Sequence, residues 1–168
     1  MRIAIYPGSF DPVTLGHLNI IKRASAIFDK VIVCVLVNSG KKGLFEPEER
    51  VELIRRVASG LANVEVDYST ELLASYAKKK KAKVLVKGLR AMSDYEQEVQ
   101  MAIINSKLYP NLDTVFLPSS PKYTYLSSSV VKEMARYGVD LTDFLPREII
   151  KDVKLKTETE EKQEGAAE

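Results

Sequence analysis

"IAIYPGSFDPVTLGHLNIIKRASAIFDKVIVCVLV", residues Ile3 to Val37, reads as strand, loop, helix and second strand. Ile3 to Tyr6 is a short β-rich run ended by a Pro-Gly turn. Beyond Gly16, the apolar residues Ile21, Ala24 and Phe28 recur at three-to-four spacing, the period of a helix that buries one face. Val31 to Val37 is then an unbroken apolar run, the mark of a strand covered on both sides. Two strands this apolar, joined through a helix, predict parallel pairing by a right-handed crossover.

The pattern continues along the chain. Val64 to Tyr68, Val84 to Lys87 and Val115 to Leu117 are further β-rich runs, each followed by helix-compatible sequence. Pro47-Glu48-Glu49 opens a helix with a proline in its first turn and two carboxylates at the positive end of its dipole. Val51, Ile54, Val57 and Leu61 form its stripe, and Ser59-Gly60 closes it. The expected fold class is α/β: a single Rossmann-like domain with a five-stranded parallel sheet and helices on both faces. Such sheets bind ligands at the carboxyl ends of their strands, near the point where strand order reverses.

With 168 residues, 45% of them hydrophobic, the chain has the size and apolar content for one core. That domain is read over residues 1–156. Residues 157–168 contain no large apolar side chain and are expected to form a mobile charged tail. Twenty-five basic against twenty-three acidic residues leave a formal charge of +2, without the one-sided field of a nucleic-acid binder. No nucleic-acid partner is expected. The longest apolar run falls far short of the roughly 18 residues that span a bilayer. The first residues are too short an apolar run for a signal peptide. Cys34, the chain's one cysteine, admits no intramolecular disulfide and reads as core filler. A cytoplasmic location without a membrane partner follows as an expectation. The basic run Lys78 to Lys81 reads as a solvated helix end.

Three stretches carry chemistry. After the first strand, Gly8, Ser9 and Phe10 form a loop at the sheet's carboxyl edge, and Gly16-His17 starts the next helix, an anion-binding position. After the fourth, Lys87 and Arg90 flank Gly88, and a helix carrying Glu98 follows. After the fifth, Ser127, Ser128 and Ser129 precede a helix stripe of Val130, Met134 and Tyr137. One serine suffices to cap a helix; three hydroxyls beside free backbone N–H groups suit a polyphosphate. Lys41 and Lys42 add charge after the second strand. No Walker A sequence, no GxGxxG after the first strand, no cluster with metal-ligand spacing and no nucleophile elbow is present. The loops therefore point to an anionic ligand without deciding which one.

Gly16-His17 within PGSFDPVTLGH, KGLR at 87–90 and SSS at 127–129, in this order and spacing, resemble the bacterial phosphopantetheine adenylyltransferases of the nucleotidylyltransferase superfamily. The resemblance runs from Arg2 to about Ile150. It implies transfer of AMP from ATP to 4'-phosphopantetheine, giving dephospho-CoA and pyrophosphate in coenzyme A biosynthesis, with Mg²⁺ as cofactor. It implies His17 as the catalytic residue contacting the α-phosphate. It implies an ATP site of Ser9, Phe10, His17, Gly88, Leu89, Arg90, Glu98, Tyr123, Thr124, Tyr125, Leu126, Ser127, Ser128 and Ser129. Ser9, Lys41, Leu73 and Lys87 would hold the acceptor. A homohexamer and coenzyme A as a feedback ligand are further implications; no protein ligand of the metal is assigned. Many members carry arginine where this chain has Lys87, a point charge in place of a planar fork. Two alternatives stay open from the residues: a sister enzyme using nicotinamide mononucleotide or a phosphorylated alcohol as acceptor, and a non-catalytic adenine-nucleotide sensor.

Overall fold

The computed structural model of the chain describes residues 1–37, 40 and 42–165. Ile3–Gly8 forms β1, the central strand, and its alternating side chains divide the interior in two. Ala4 and Tyr6 face a larger apolar cluster, while Ile5 faces a smaller one. The second strand β2, Lys30–Leu36, repeats this division: Val31, Val33 and Val35 point to the first cluster, Ile32 and Cys34 to the second. This two-sided burial is why both runs are apolar at every position. Cys34 is buried as a core residue, and burial pushes its thiol up to about 11.

Strands β3 (Val64–Ser69), β4 (Val84–Leu89) and β5 (Asp113–Pro118) complete a five-stranded sheet in the order β3-β2-β1-β4-β5, and every pairing is parallel. The chain winds outward from β1 to β3, then returns to place β4 on the other side of β1. Strand order therefore reverses between β1 and β4, where Ala4 pairs with Val84 and Ile5 with Leu85. Beyond those pairs the two strands part, and their carboxyl ends open a crevice.

Helices α1 (Leu15–Ile27) and α2 (Pro47–Val57) cover the larger cluster with α5 (Ser128–Arg136) and α6 (Ile150–Gly165). Helix α3 (Leu73–Lys79) and the end of α4 (Met92–Leu108) cover the smaller one through Ala74, Tyr76, Ala77 and Tyr109. Pro47 and two glutamates open α2 as expected, though Ala58 rather than Ser59-Gly60 caps it. In α5 the buried residue is Val131, with Met134 packed beside it, while Tyr137 is 75% exposed. The stripe read from the sequence therefore begins one position early, and its last member, Tyr137, lies beyond the packed face.

The boundary read at residue 157 does not coincide with a structural break. Helix α6 runs through it, Thr157 is buried, and its hydroxyl donates to the Val153 carbonyl. Poor core-forming residues such as Glu and Lys are good helix formers, so α6 continues where apolar content ends. Ion pairs fasten the helix to its neighbours: Arg56–Asp152 at 2.8 Å and Lys156–Glu49 at 2.7 Å to α2, and Arg136–Glu160 at 3.1 Å to α5. Among the described residues no helix is long and apolar enough to cross a membrane.

Candidate active site

The crevice between the ends of β1 and β4 is a cavity of about 420 Å³. Its walls come from four segments: Tyr6 to Ser9 at the end of β1, Thr14 to Ile20 at the start of α1, Lys87 to Glu98 across β4 and α4, and Ser119 to Ser129 leading into α5. Ser9, His17, Lys87, Gly88, Arg90, Glu98, Tyr123, Leu126, Ser127, Ser128 and Ser129 all line it. Residues separated by more than a hundred positions thus meet at the topological switch point.

His17 is held by its own helix start. It occupies the third position of α1, where a Glu or Gln commonly reaches back to the cap. Here the imidazole does this: the Thr14 backbone N–H donates to His17 Nδ1 at 3.0 Å, and the His17 N–H donates to Thr14 Oγ1 at 3.3 Å. A nitrogen accepting from a backbone amide carries no proton, so the neutral ring bears its hydrogen on Nε2. Burial, helped by the Arg90 charge, lowers the imidazole from its ordinary 6.5 to about 4. At neutral pH His17 is therefore an uncharged Nε2–H donor of fixed orientation.

Phe10, which the resemblance implied for the ATP site, does not line the cavity. Its backbone adopts φ 45°, the left-handed region, and its ring is only 1% exposed. The ring packs edge-on against Tyr6 and against His17, with centroids 5.2 and 5.0 Å away. A left-handed residue reverses the chain and turns the side chain inward, so Phe10 supports the imidazole from below.

Two cations come from the β4 side. Lys87 Nζ lies 3.0 Å from Glu98 Oε2, and both side chains line the cavity. Arg90 donates to the Leu126 carbonyl at 2.9 Å and faces Asp94 at 3.4 Å, which ties the end of β4 to the entrance of α5. Between them Gly88 lies close under Ile20, and a Cβ there would sit 3.1 Å from Ile20 Cγ1, so a side chain would press the wall of the crevice. At α5, Ser127 is the N-cap, its hydroxyl accepting from the Val130 N–H at 3.1 Å. Ser128 donates its hydroxyl to the Pro12 carbonyl at 2.8 Å. Two of the three hydroxyls thus shape the helix start. What they leave facing the cavity is the first turn of α5, whose early N–H groups have no partner within the helix, with Ser129 exposed beside it.

Several residues expected at the site are placed around it. Leu73 opens α3 and packs against the smaller core cluster. Leu89 receives the Ser119 N–H on its carbonyl, Thr124 donates its hydroxyl to Pro121, and Tyr125 is exposed with its ring against Phe144. None of these four lines the cavity. Lys41 lies outside the described residues. Conversely, the cavity contains Tyr6, Asp94, Gln97 and Ser119, which sequence reading passed over. For Asp94 and Gln97 a signal existed: they stand four and seven residues after Arg90 on one helix face. Tyr6 gave none, since it reads as a strand residue; burial raises its hydroxyl so that it stays protonated.

A neutral donor, two cations and a helix N-terminus around a crevice with no nucleophile triad define a site for binding phosphates and stabilising charge on them. The cytidylyltransferase-like family model matches residues 5–134, which makes the chain a nucleotidylyltransferase by class. Phosphopantetheine adenylyltransferase of Clostridium botulinum (strain 657 / Type Ba4) is 57% identical over 156 residues, covering 93% of this chain and 95% of the relative. The enzyme of that name from Caldanaerobacter subterraneus subsp. tengcongensis is 57% identical over 146 residues, covering 87% and 91%. The chain belongs to the phosphopantetheine adenylyltransferase family. In fold it also resembles Plasmodium falciparum nicotinic acid mononucleotide adenylyltransferase, with a TM-score of 0.63 at 16% identity over 92% of this chain and 95% of that one.

Proposed function

We infer that the chain transfers AMP from ATP to 4'-phosphopantetheine, forming dephospho-CoA and pyrophosphate as a step of coenzyme A biosynthesis. The observation that carries this reading beyond family membership is the imidazole locked as a neutral donor among phosphate-binding groups. The acceptor phosphate is already ionised at neutral pH, so no general base is needed to make the nucleophile. One P–O bond forms between the acceptor oxygen and the α-phosphorus while the bond to pyrophosphate breaks. The protein holds the two in line and stabilises charge on the α-phosphate oxygens.

In this reading His17 Nε2–H donates to an α-phosphate oxygen. The first turn of α5 and Ser129 receive the β- and γ-phosphates, and Gly88, Arg90, Glu98 and Tyr123 contact the nucleotide. Ser9, Lys41 and Lys87 hold the acceptor. Incubation with ATP, Mg²⁺ and 4'-phosphopantetheine, with the product identified by mass, tests it; nicotinamide mononucleotide as the productive acceptor instead would overturn it. An uncharged donor also predicts a pH dependence. Because the folded imidazole titrates at about 4, no rate should be lost to His17 protonation between about pH 8 and about pH 5. Below its ordinary 6.5 the unfolded chain takes up a proton that the folded imidazole refuses until about 4. Its share of stability therefore shrinks as pH falls through that window. A pH–rate profile and thermal unfolding across the same range measure both.

Mg²⁺ fits as an ion carried by the nucleotide. Among the described residues no three His, Cys, Asp or Glu side chains gather around a metal position, and Asp94 and Glu98 each face a cation. An ion that keeps several waters and binds phosphate oxygens needs no protein cage. When bound it neutralises charge on the leaving pyrophosphate.

A homohexamer accords with the exposed apolar side chains of α4, Met92, Met101, Ile103, Ile104 and Leu108. Ile104→Glu is expected to convert the assembly to smaller species by light scattering, and an unchanged mass would remove this face from the interface. A cytoplasmic location suits the substrates of this reaction. Coenzyme A shares the pantetheine arm with the product, so the acceptor side is where feedback would act.

A further inference from the structure

Beside the crevice lies a buried carboxylate that none of the steps above uses. Asp11 is 5% exposed, and four groups from three other parts of the chain surround it. Its Oδ2 accepts from the Leu44 N–H at 2.9 Å and lies 3.3 Å from Lys132 Nζ. Its Oδ1 accepts from the Phe45 N–H at 2.9 Å and lies 3.4 Å from Arg50 Nε. Arg50, itself buried, donates onward to the Phe45 carbonyl at 2.7 Å and to the Ser9 carbonyl at 3.3 Å. Gly43 lies against it, and a Cβ at that position would push the guanidinium from its place.

These bonds join the Ser9 loop, the loop between β2 and α2, and helix α5. A second cavity, which shares Ser9, Ser128 and Ser129 with the first, opens between the same parts. Three donors and the Arg50 charge engage both oxygens of Asp11. Its burial is costly unless fully paired, and the pairing is what fixes the three parts relative to one another. We propose that Asp11, acting through Arg50, is a positioning residue for the transfer reaction: it sets the acceptor-side loop and Ser9 against the nucleotide-side helix α5. The proposal rests on the reaction inferred above, and the wild-type enzyme run in parallel separates the two.

The test is steady-state kinetics of Asp11→Asn and Arg50→Lys, normalised to folded enzyme, with thermal unfolding recorded alongside. Asp11→Asn leaves the buried Arg50 and the half-buried Lys132 short of a counter-charge and turns an amide donor toward a backbone N–H. It is expected to lower Tm, raise the acceptor KM about tenfold and lower kcat by a similar factor. Arg50→Lys keeps the positive charge and leaves Lys132 on Asp11, but it loses the fork that reaches both carbonyls. It is expected to raise the acceptor KM about fivefold with the ATP KM unmoved, a split that a loss of stability alone does not produce. If Asp11→Asn fails to fold, Arg50→Lys decides. Wild-type kcat and acceptor KM in the folded variants, whatever their Tm, would overturn the proposal, as would an Arg50→Lys effect confined to ATP. An inactive wild type would instead overturn the reaction assignment.

Discussion

His17→Ala is expected to reduce turnover by about 10²-fold or more while ATP binding stays close to wild type. The reason lies in when the donor acts. On the proposed reading several groups, including the α5 N-terminus and Arg90, hold ground-state ATP, so losing one neutral donor should cost little affinity. As the acceptor attacks, charge accumulates on the α-phosphate oxygens, and a donor already aimed there stabilises the transition state more than the ground state. Two features make the imidazole ready beforehand: the Thr14 N–H on Nδ1 and the Phe10 ring beneath it. Turnover and the dissociation constant of a non-hydrolysable ATP analogue, measured on the same variant, check the split. Unchanged turnover would remove His17 from the chemistry.

Lys87→Met is expected to act on the acceptor instead. A charge-assisted hydrogen bond to phosphate contributes about 1.5–3 kcal/mol, so the acceptor KM should rise about 10- to 100-fold with a smaller change in the ATP KM. Part of that loss comes from Glu98. In the free protein its carboxylate faces Lys87 Nζ at 3.0 Å; without the lysine it is an unpaired anion beside an anionic substrate. Adding Glu98→Gln to Lys87→Met should therefore recover some acceptor affinity, an interaction that a double-mutant cycle measures directly. Equal acceptor KM in wild type and Lys87→Met would show that the phosphate is held elsewhere.

The sheet was legible because its signal is strong and local. Five short apolar runs at regular separation leave few topologies, and the order β3-β2-β1-β4-β5 places the loops after β1, β4 and β5 at one crevice. The residues at those loops were therefore found in outline. What the sequence did not disclose depends on backbone geometry or on packing. Phe10 looked like a pocket wall because it sits in the pocket loop, yet a positive φ turns it into the core. Thr14 is not among the residues read as functional, yet it holds the imidazole, and only the spacing of a cap residue and a third-position acceptor hints at that. Asp11 was unremarked because its partners, Leu44, Phe45, Arg50 and Lys132, lie 33 or more positions away and meet it only through the fold. Residues 157–165 read as a tail because they carry no apolar stripe, whereas they continue α6, which ion pairs to α2 and α5 fasten.

The state of the His17 ring tests the account most directly. Nitrogen-15 NMR of the imidazole at neutral pH should show a neutral ring with the proton on Nε2 and Nδ1 acting as acceptor. The Nε2–H resonance should shift when a non-hydrolysable ATP analogue is added. A charged imidazolium, a proton on Nδ1, or a ring signal indifferent to the nucleotide would contradict the claim that a preset neutral donor faces the phosphorus under attack.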